Sequence, residues 1–220
     1  MSLYYPRAHW ENPSQPVTGP GPQGVRGTWV IHYPGNSGFT EPLSDDEMIE
    51  YCRAMQSDYV TNRGYSLGYS FVVSQSGLAY EARGFDINNA ANKGDKMKPA
   101  IPNFNAVSMS IHVAVSGQDA ASDAAVVMVN EIIALEPDWD VVVHADVDYT
   151  QCCGTGMIEQ VRSGVIGQAA PPAPSGYNPP TNWGLYPLDP SKPTVRKGSS
   201  GQYVTYLQDV IYFYAGGAIA

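Results

Sequence analysis

Short runs of β-forming residues alternate with longer helical stretches through the middle of this chain, and that alternation restricts it to a sheet with helices packed on it. Gly27 to Tyr33 (GTWVIHY) is short and apolar, as a buried central strand is. Ser44 with Glu47 three residues later forms a capping-box pattern that opens a helix running to about Asn62, closed by Gly64. Met48, Cys52, Met55 and Tyr59 fall on one apolar face of that helix. Leu67–Ser74 and Leu78–Ala82, joined by Gln75-Ser76-Gly77, read as a hairpin. A polar, lysine-containing loop follows from Asp86 to Asn105, then an alternating strand from Ser108 to Ser116. A helix over Ala120–Leu135 ends before Pro137, and Trp139–His144 is a last short strand. A loop carrying Cys152 and a short helix near Met157–Arg162 complete the pattern. The expected fold is therefore α/β: a central mixed β-sheet of five or six strands, flanked by helices on both faces.

The ends of the chain differ in composition from this middle. Residues 1–26 are rich in Pro, Gly and Gln without periodicity and read as an extended arm. Residues 27–168 form the expected folded domain, and 169–190 a Pro-rich, semi-rigid linker. Within 191–220 a single apolar helical stripe (Val204, Leu207, Val210, Ile211) is too short to bury a core of its own.

Charge and cysteine usage remove several function classes. A formal net charge of -9 leaves nothing to neutralise a run of phosphates, which excludes nucleic acid as a partner. No apolar run reaches the length of a membrane span, and the first residues lack the apolar stretch of a secretory signal. Three cysteines, two of them adjacent (Cys52, Cys152, Cys153), do not make a disulfide framework and leave metal ligation open.

Three zinc-compatible side chains sit at strand ends or just beyond one. His32 ends the first strand, His144 ends the last, and Cys152 lies on the loop that follows. If neighbouring strands bring the two histidines side by side, a His₂Cys set leaves the fourth tetrahedral position that a catalytic zinc needs. The spacing alone fits equally well two ordinary strand-end histidines and a loop thiol.

Four segments, in order, resemble the N-acetylmuramoyl-L-alanine amidases related to peptidoglycan-recognition proteins. WVIHYPGN (Trp29–Asn36) is similar to that family's first zinc-histidine strand, and GYSFVVSQSGLAYEARGFD (Gly68–Asp86) to its Y-H-F…Y-E-G-R-G-W-D segment. SMSIHVAVSGQD (Ser108–Asp119) resembles its S-I-G-I strand, and VVVHADVDYTQCCG (Val141–Gly154) its G-H-R-D-V-x-x-T-x-C-P-G motif. The resemblance implies His32, His144 and Cys152 as zinc ligands, with Tyr69 and Thr150 as catalytic residues beside the metal. Tyr69 would position the water or stabilise the oxyanion; a strand aromatic packed in the core is the alternative. Asn36, Arg83 and His112 are expected to touch substrate. Arg83 would meet peptide carboxylates or else form a structural salt bridge, and His112 would line the cleft or be a strand histidine satisfied by neighbours.

The sequence departs from the family pattern in places. Ser70 replaces the Y-H-F histidine, Ala90 and Ala91 stand where another histidine is expected, and His112 replaces the glycine of S-I-G-I. Cys153 replaces the proline of C-P-G and is a possible competitor for the metal. KGSSGQYVTYLQDVIYF, near the C-terminus, resembles the first helix of a peptidoglycan-binding repeat. The function so implied is zinc-dependent hydrolysis of the bond between N-acetylmuramic acid and L-alanine, with peptidoglycan as partner. A phage lysin released through a holin, or a virion tail component in contact with other tail proteins, would bring such a chain to the wall without a secretory signal.

Overall fold

The alternation of apolar and polar residues in the sequence becomes two packed faces of one sheet in the computed structural model, which describes residues 3–35, 43–117 and 119–167. Asn36, the linker and the C-terminal helical stripe lie outside the described residues. Six strands, β1 (Leu3–Tyr5), β2 (Thr28–His32), β3 (Phe71–Val73), β4 (Leu78–Glu81), β5 (Ser108–Val113) and β6 (Asp140–Val143), form one sheet in the order β1-β4-β3-β5-β2-β6. β3, β5, β2 and β6 run parallel, whereas β4 is antiparallel to β3 and β1 parallel to β4. The mixed α/β sheet expected from the sequence is the fold observed.

Helices cover both faces. Trp29 and Ile31 of β2, Met109, Ile111 and Val113 of β5, and Phe71 and Val73 of β3 pack on one side with α4 (Asp123–Ile133) and α6 (Thr155–Arg162). Val72 of β3 and Tyr80 of β4 point the other way, onto Met48 and Cys52 of α2 (Asp45–Asp58). Val30, between Trp29 and Ile31, meets Phe104 of α3 (Phe104–Val107) and Val147 of α5 (His144–Val147). This is the period-two alternation of a sheet buried on both sides.

Local signals place the helix ends. Ser44 and Glu47 complete the expected capping box of α2. The helix runs on through a π-turn over Tyr59–Arg63 and stops at Gly64, whose φ of 74° suits a residue without a side chain. α4 starts later than its apolar pattern suggested, because Ser122 caps it by accepting from the Ala125 N–H.

Two expectations need correction. The N-terminal segment is not merely an arm. β1 extends the sheet, α1 (Arg7–Trp10) follows it, and Trp10 is fully buried with its indole N–H donating to the Glu81 carbonyl at 2.6 Å. The Pro/Gly-rich stretch hid a three-residue strand and one helical turn, elements held by tertiary packing and not by propensity. The second correction concerns His144, which does not end β6. It is the first residue of α5, a single turn that begins where the strand stops.

Candidate metal centre

Strand register sets the site. Ile31 pairs with Val143 across β2 and β6, so the next residue of each chain segment, His32 and His144, emerges at the same carboxyl edge of the sheet. On the other flank His32 pairs with His112 of β5. The carboxyl ends of parallel strands are where open α/β sheets place ligands. The rings of His32 and His144 lie 4.2 Å apart, and the loop after α5 brings Cys152 Sγ to 3.8 Å from His32 Nδ1. One ligand atom from each of His32, His144 and Cys152 falls within 4.8 Å of the others, a group that can hold a metal ion.

The surroundings fit a metal chemically. Asn92 is buried, and its amide Nδ2 donates to Ser108 Oγ at 2.9 Å, Ser108 itself donating to the Phe104 carbonyl. That orientation turns Asn92 Oδ1 toward His32 Nε2, 2.7 Å away, so Nε2 carries the proton and Nδ1 presents its lone pair on the Cys152 side. His144 Nε2 likewise meets the Asp148 carboxylate at 2.8 Å, and Asp148 is fixed by the Asp95 N–H at 2.7 Å. Each imidazole thus has one nitrogen held by an oxygen acceptor and the other available, the arrangement seen behind metal-binding histidines.

Burial tunes the same groups. The His32 ring is driven well below the ordinary imidazole range by burial, with neighbouring His144 adding to the effect and Asn92 opposing it. His144 is also lowered by burial, against the pull of Asp148. Both rings are therefore neutral at pH 7, the state that ligates. Burial pushes the Cys152 thiol up to about 12, partly offset by the Tyr33 N–H that donates to its sulfur at 3.4 Å. A thiol in this position becomes a thiolate when a cation stands beside it.

Other residues singled out by the sequence divide. Tyr69 stands just before β3 with its ring edge-on to His32 at 5.2 Å and to Tyr59 at 6.0 Å, and burial holds its hydroxyl protonated. Thr150 is exposed on the loop that carries Cys152, where Oγ1 accepts from the Cys152 N–H at 3.2 Å. His112 is buried behind the site, its Nε2 2.8 Å from the Tyr51 hydroxyl and its ring 4.5 Å from that of Tyr69. Packing has buried it away from the open cleft, with Nε2 engaged by Tyr51 and Nδ1 buried without a hydrogen-bond partner. Cys153 turns into the core on the α4 side and does not join the metal group.

Arg83 is turned inward, away from the protein surface. It is 3% exposed, and its guanidinium donates to the carbonyls of Leu67 (2.6 Å), Asn88 (2.6 Å) and Ser66 (3.0 Å). Among the described residues no carboxylate pairs with it, so the expected salt bridge is replaced by a tie that holds three loop carbonyls together. Sequence reasoning also missed Asn92 and Asp148. Asp148 had a readable signal, because it lies four residues after His144 and one helical turn joins them. Asn92 had none, since its partner is 60 residues away.

No protein-family model matches this chain, and no curated protein matches it in sequence. Solved structures do. Wild-type Drosophila peptidoglycan recognition protein PGRP-LB is 21% identical, with a TM-score of 0.61 over 74% of this chain and 94% of that one. Bumblebee PGRP-SA is 20% identical, with a TM-score of 0.63 over 76% and 97%. Human PGRP-IBETAC, solved in complex with glycosamyl muramyl pentapeptide, is 20% identical, with a TM-score of 0.59 over 73% and 94%. Likeness at this level of identity establishes the fold.

Proposed function

We propose that this protein is a zinc-dependent N-acetylmuramoyl-L-alanine amidase acting on bacterial peptidoglycan. The observation that carries the reading is the convergence of His32, His144 and Cys152 at the carboxyl ends of β2 and β6, with ligand atoms within 4.8 Å. Two imidazoles and a thiolate leave one tetrahedral position open, which suits a catalytic more than a structural zinc. The ion, when bound, supplies Lewis acidity that polarises the scissile carbonyl and acidifies a water. Asn92 and Asp148 hold the two ligand rings in place. Tyr69, kept protonated by burial, is a hydroxyl donor beside the ligands, suited to negative charge developing on the carbonyl oxygen. Thr150, exposed next to Cys152 and accepting from its N–H, would orient the substrate amide. The peptidoglycan fragment bound by the human structural neighbour supports the choice of substrate.

A second reading, peptidoglycan binding without cleavage, is favoured by one observation: the Tyr69 ring is packed edge-on against Tyr59 at 6.0 Å, which draws it into the core. The biological setting we propose is a phage lysin reaching the wall after holin release, or a virion tail component carrying residues 27–168 as its wall-cutting unit. Residues 169–190 would then act as linker and 191–220 as a partial wall-binding segment.

Metal analysis combined with digestion of purified cell wall tests the reading, comparing the protein with Cys152→Ala. About one zinc per chain and release of peptide stems, both lost in the variant, is the expected result. Zinc without cleavage would favour the binding role. No zinc would overturn the mechanism.

A further inference from the structure

The chain has five lysines, and three of them, Lys93, Lys96 and Lys98, stand within six residues of one another. The described residues contain no other lysine. All three are exposed, and they sit on the loop that braces the metal group. The Asp95 N–H holds Asp148, the carboxylate behind His144. The Lys96 ammonium donates at 2.5 Å to the carbonyl of Ala145, the residue after His144. It also lies 5.4 Å over the ring of Tyr149, which is 82% exposed and immediately precedes Thr150. The loop has a fixed shape. Gly94 has φ 69° and lies so close to Phe104 that a Cβ there would fall 2.3 Å from the Phe104 Cβ, so no other residue fits the turn.

The charge balance of this lip is positive. Asp95 is shared by Lys93 at 2.7 Å and Lys98 at 2.9 Å, and Lys96 meets only a carbonyl and a ring. Asp148 is buried against His144, and Asp146 faces Arg162. Three ammonium groups with one carboxylate between them thus border neutral imidazoles, in a protein whose net charge is -9. An exposed cation held over an aromatic ring beside a catalytic metal group is an acceptor for an anion on the ligand.

We infer that Lys93 and Lys96, with Tyr149 as a platform, form a specificity rim that selects peptide stems bearing a free carboxylate next to the scissile end. The inference rests on the peptidoglycan reading above and names the charge state of the stem that the site prefers. The carboxylate of the stem's second residue, which some walls carry as the free acid and others as the amide, is the nearest anion to the bond cut.

The test uses two muramoyl dipeptide probes in which a ketomethylene replaces the scissile amide, so that neither is cut, and the γ-carboxyl of the second residue is capped as a methylamide, so that they differ only in its α-group: a carboxylate in one and a carboxamide in the other. Calorimetric titration into the zinc-loaded full chain should show the carboxylate probe bound about fivefold more tightly at low ionic strength, the size expected for an exposed ion pair. Added salt should erase the difference. In a Lys93→Gln/Lys96→Gln double variant, loaded with zinc to the same occupancy, the two probes should bind equally. Equal binding by the unaltered protein, or a preference that survives in the double variant, overturns this inference alone. Failure of both probes to bind a zinc-loaded chain overturns it together with the peptidoglycan reading.

Discussion

Asn92 Oδ1 lies 2.7 Å from His32 Nε2, and that single contact decides which nitrogen of His32 faces Cys152. The amide is locked from the other side by Ser108 and by the backbone N–H of Asn92, which donates to Asn105 Oδ1 at 2.9 Å. Replacing Asn92 with Leu keeps the volume but frees the imidazole to take either tautomer. Zinc affinity, measured by competition with a chromogenic chelator, should fall by about 10- to 100-fold. An unchanged affinity would show that the ring needs no such guide.

Asp148 makes the equivalent contact on the second histidine. Asp148→Asn retains an acceptor for the Asp95 N–H and removes the charge that strengthens His144 as a donor. Zinc dissociation in excess chelator should be roughly tenfold faster than in the unaltered protein. The melting temperature of the metal-free chain should change little by comparison.

Arg83 gives a prediction opposite to its expected role. Arg83→Met leaves the buried carbonyls of Ser66, Leu67 and Asn88 without their shared donor. Urea unfolding should show a loss of about 2–4 kcal/mol, while wall binding per folded molecule stays the same. Weakened wall binding at full stability would restore a substrate role for this residue.

Trp10 tests how firmly the N-terminal segment belongs to the domain. Its ring is fully buried and its carbonyl accepts from Arg53 Nε at 2.7 Å, joining α1 to α2. Trp10→Ala should cost about 3–5 kcal/mol in a denaturant titration. A loosely attached arm would give a change close to zero.

The buried His112 makes the metal-free protein sensitive to acid. Burial drives its pKa down to about 3 from an ordinary 6.5, so the folded chain holds it neutral and unfolding lets it take up a proton. Stability is then intact above about 6.5 and falls as pH drops from there toward about 3, by up to about 1.4 kcal/mol per pH unit. With chelator present, His112→Phe should flatten that slope by about one proton between pH 6 and 4. An identical slope in the variant would place the acid sensitivity elsewhere.

The parts of this fold that could be read in the sequence are those governed by local rules. The strand of GTWVIHY, the Ser44–Glu47 box and the hairpin turn at Gly77 each carry their own pattern. The metal trio was reachable because strand-end histidines and a following loop cysteine are a constellation with a chemical purpose. What escaped was held by distance. β1 pairs with β4 across some seventy residues, Arg83 finds partners that are carbonyls of any residue type, and Asn92 reaches back 60 residues to His32. None of these leaves a periodicity, a spacing or a composition to detect.

The register that sets His32 beside His144 has a consequence for how the ion comes and goes. Cys152 and His32 are 120 residues apart in the chain, and they meet only once β5, β2 and β6 are aligned. An unfolded chain therefore offers at best a weak, two-point grip through His144 and Cys152, and the third ligand arrives with the finished sheet. Occupancy of the site is in that sense a gauge of completed assembly: the free energy of holding the ion is free energy of the native state, and stripping the ion removes that contribution at once.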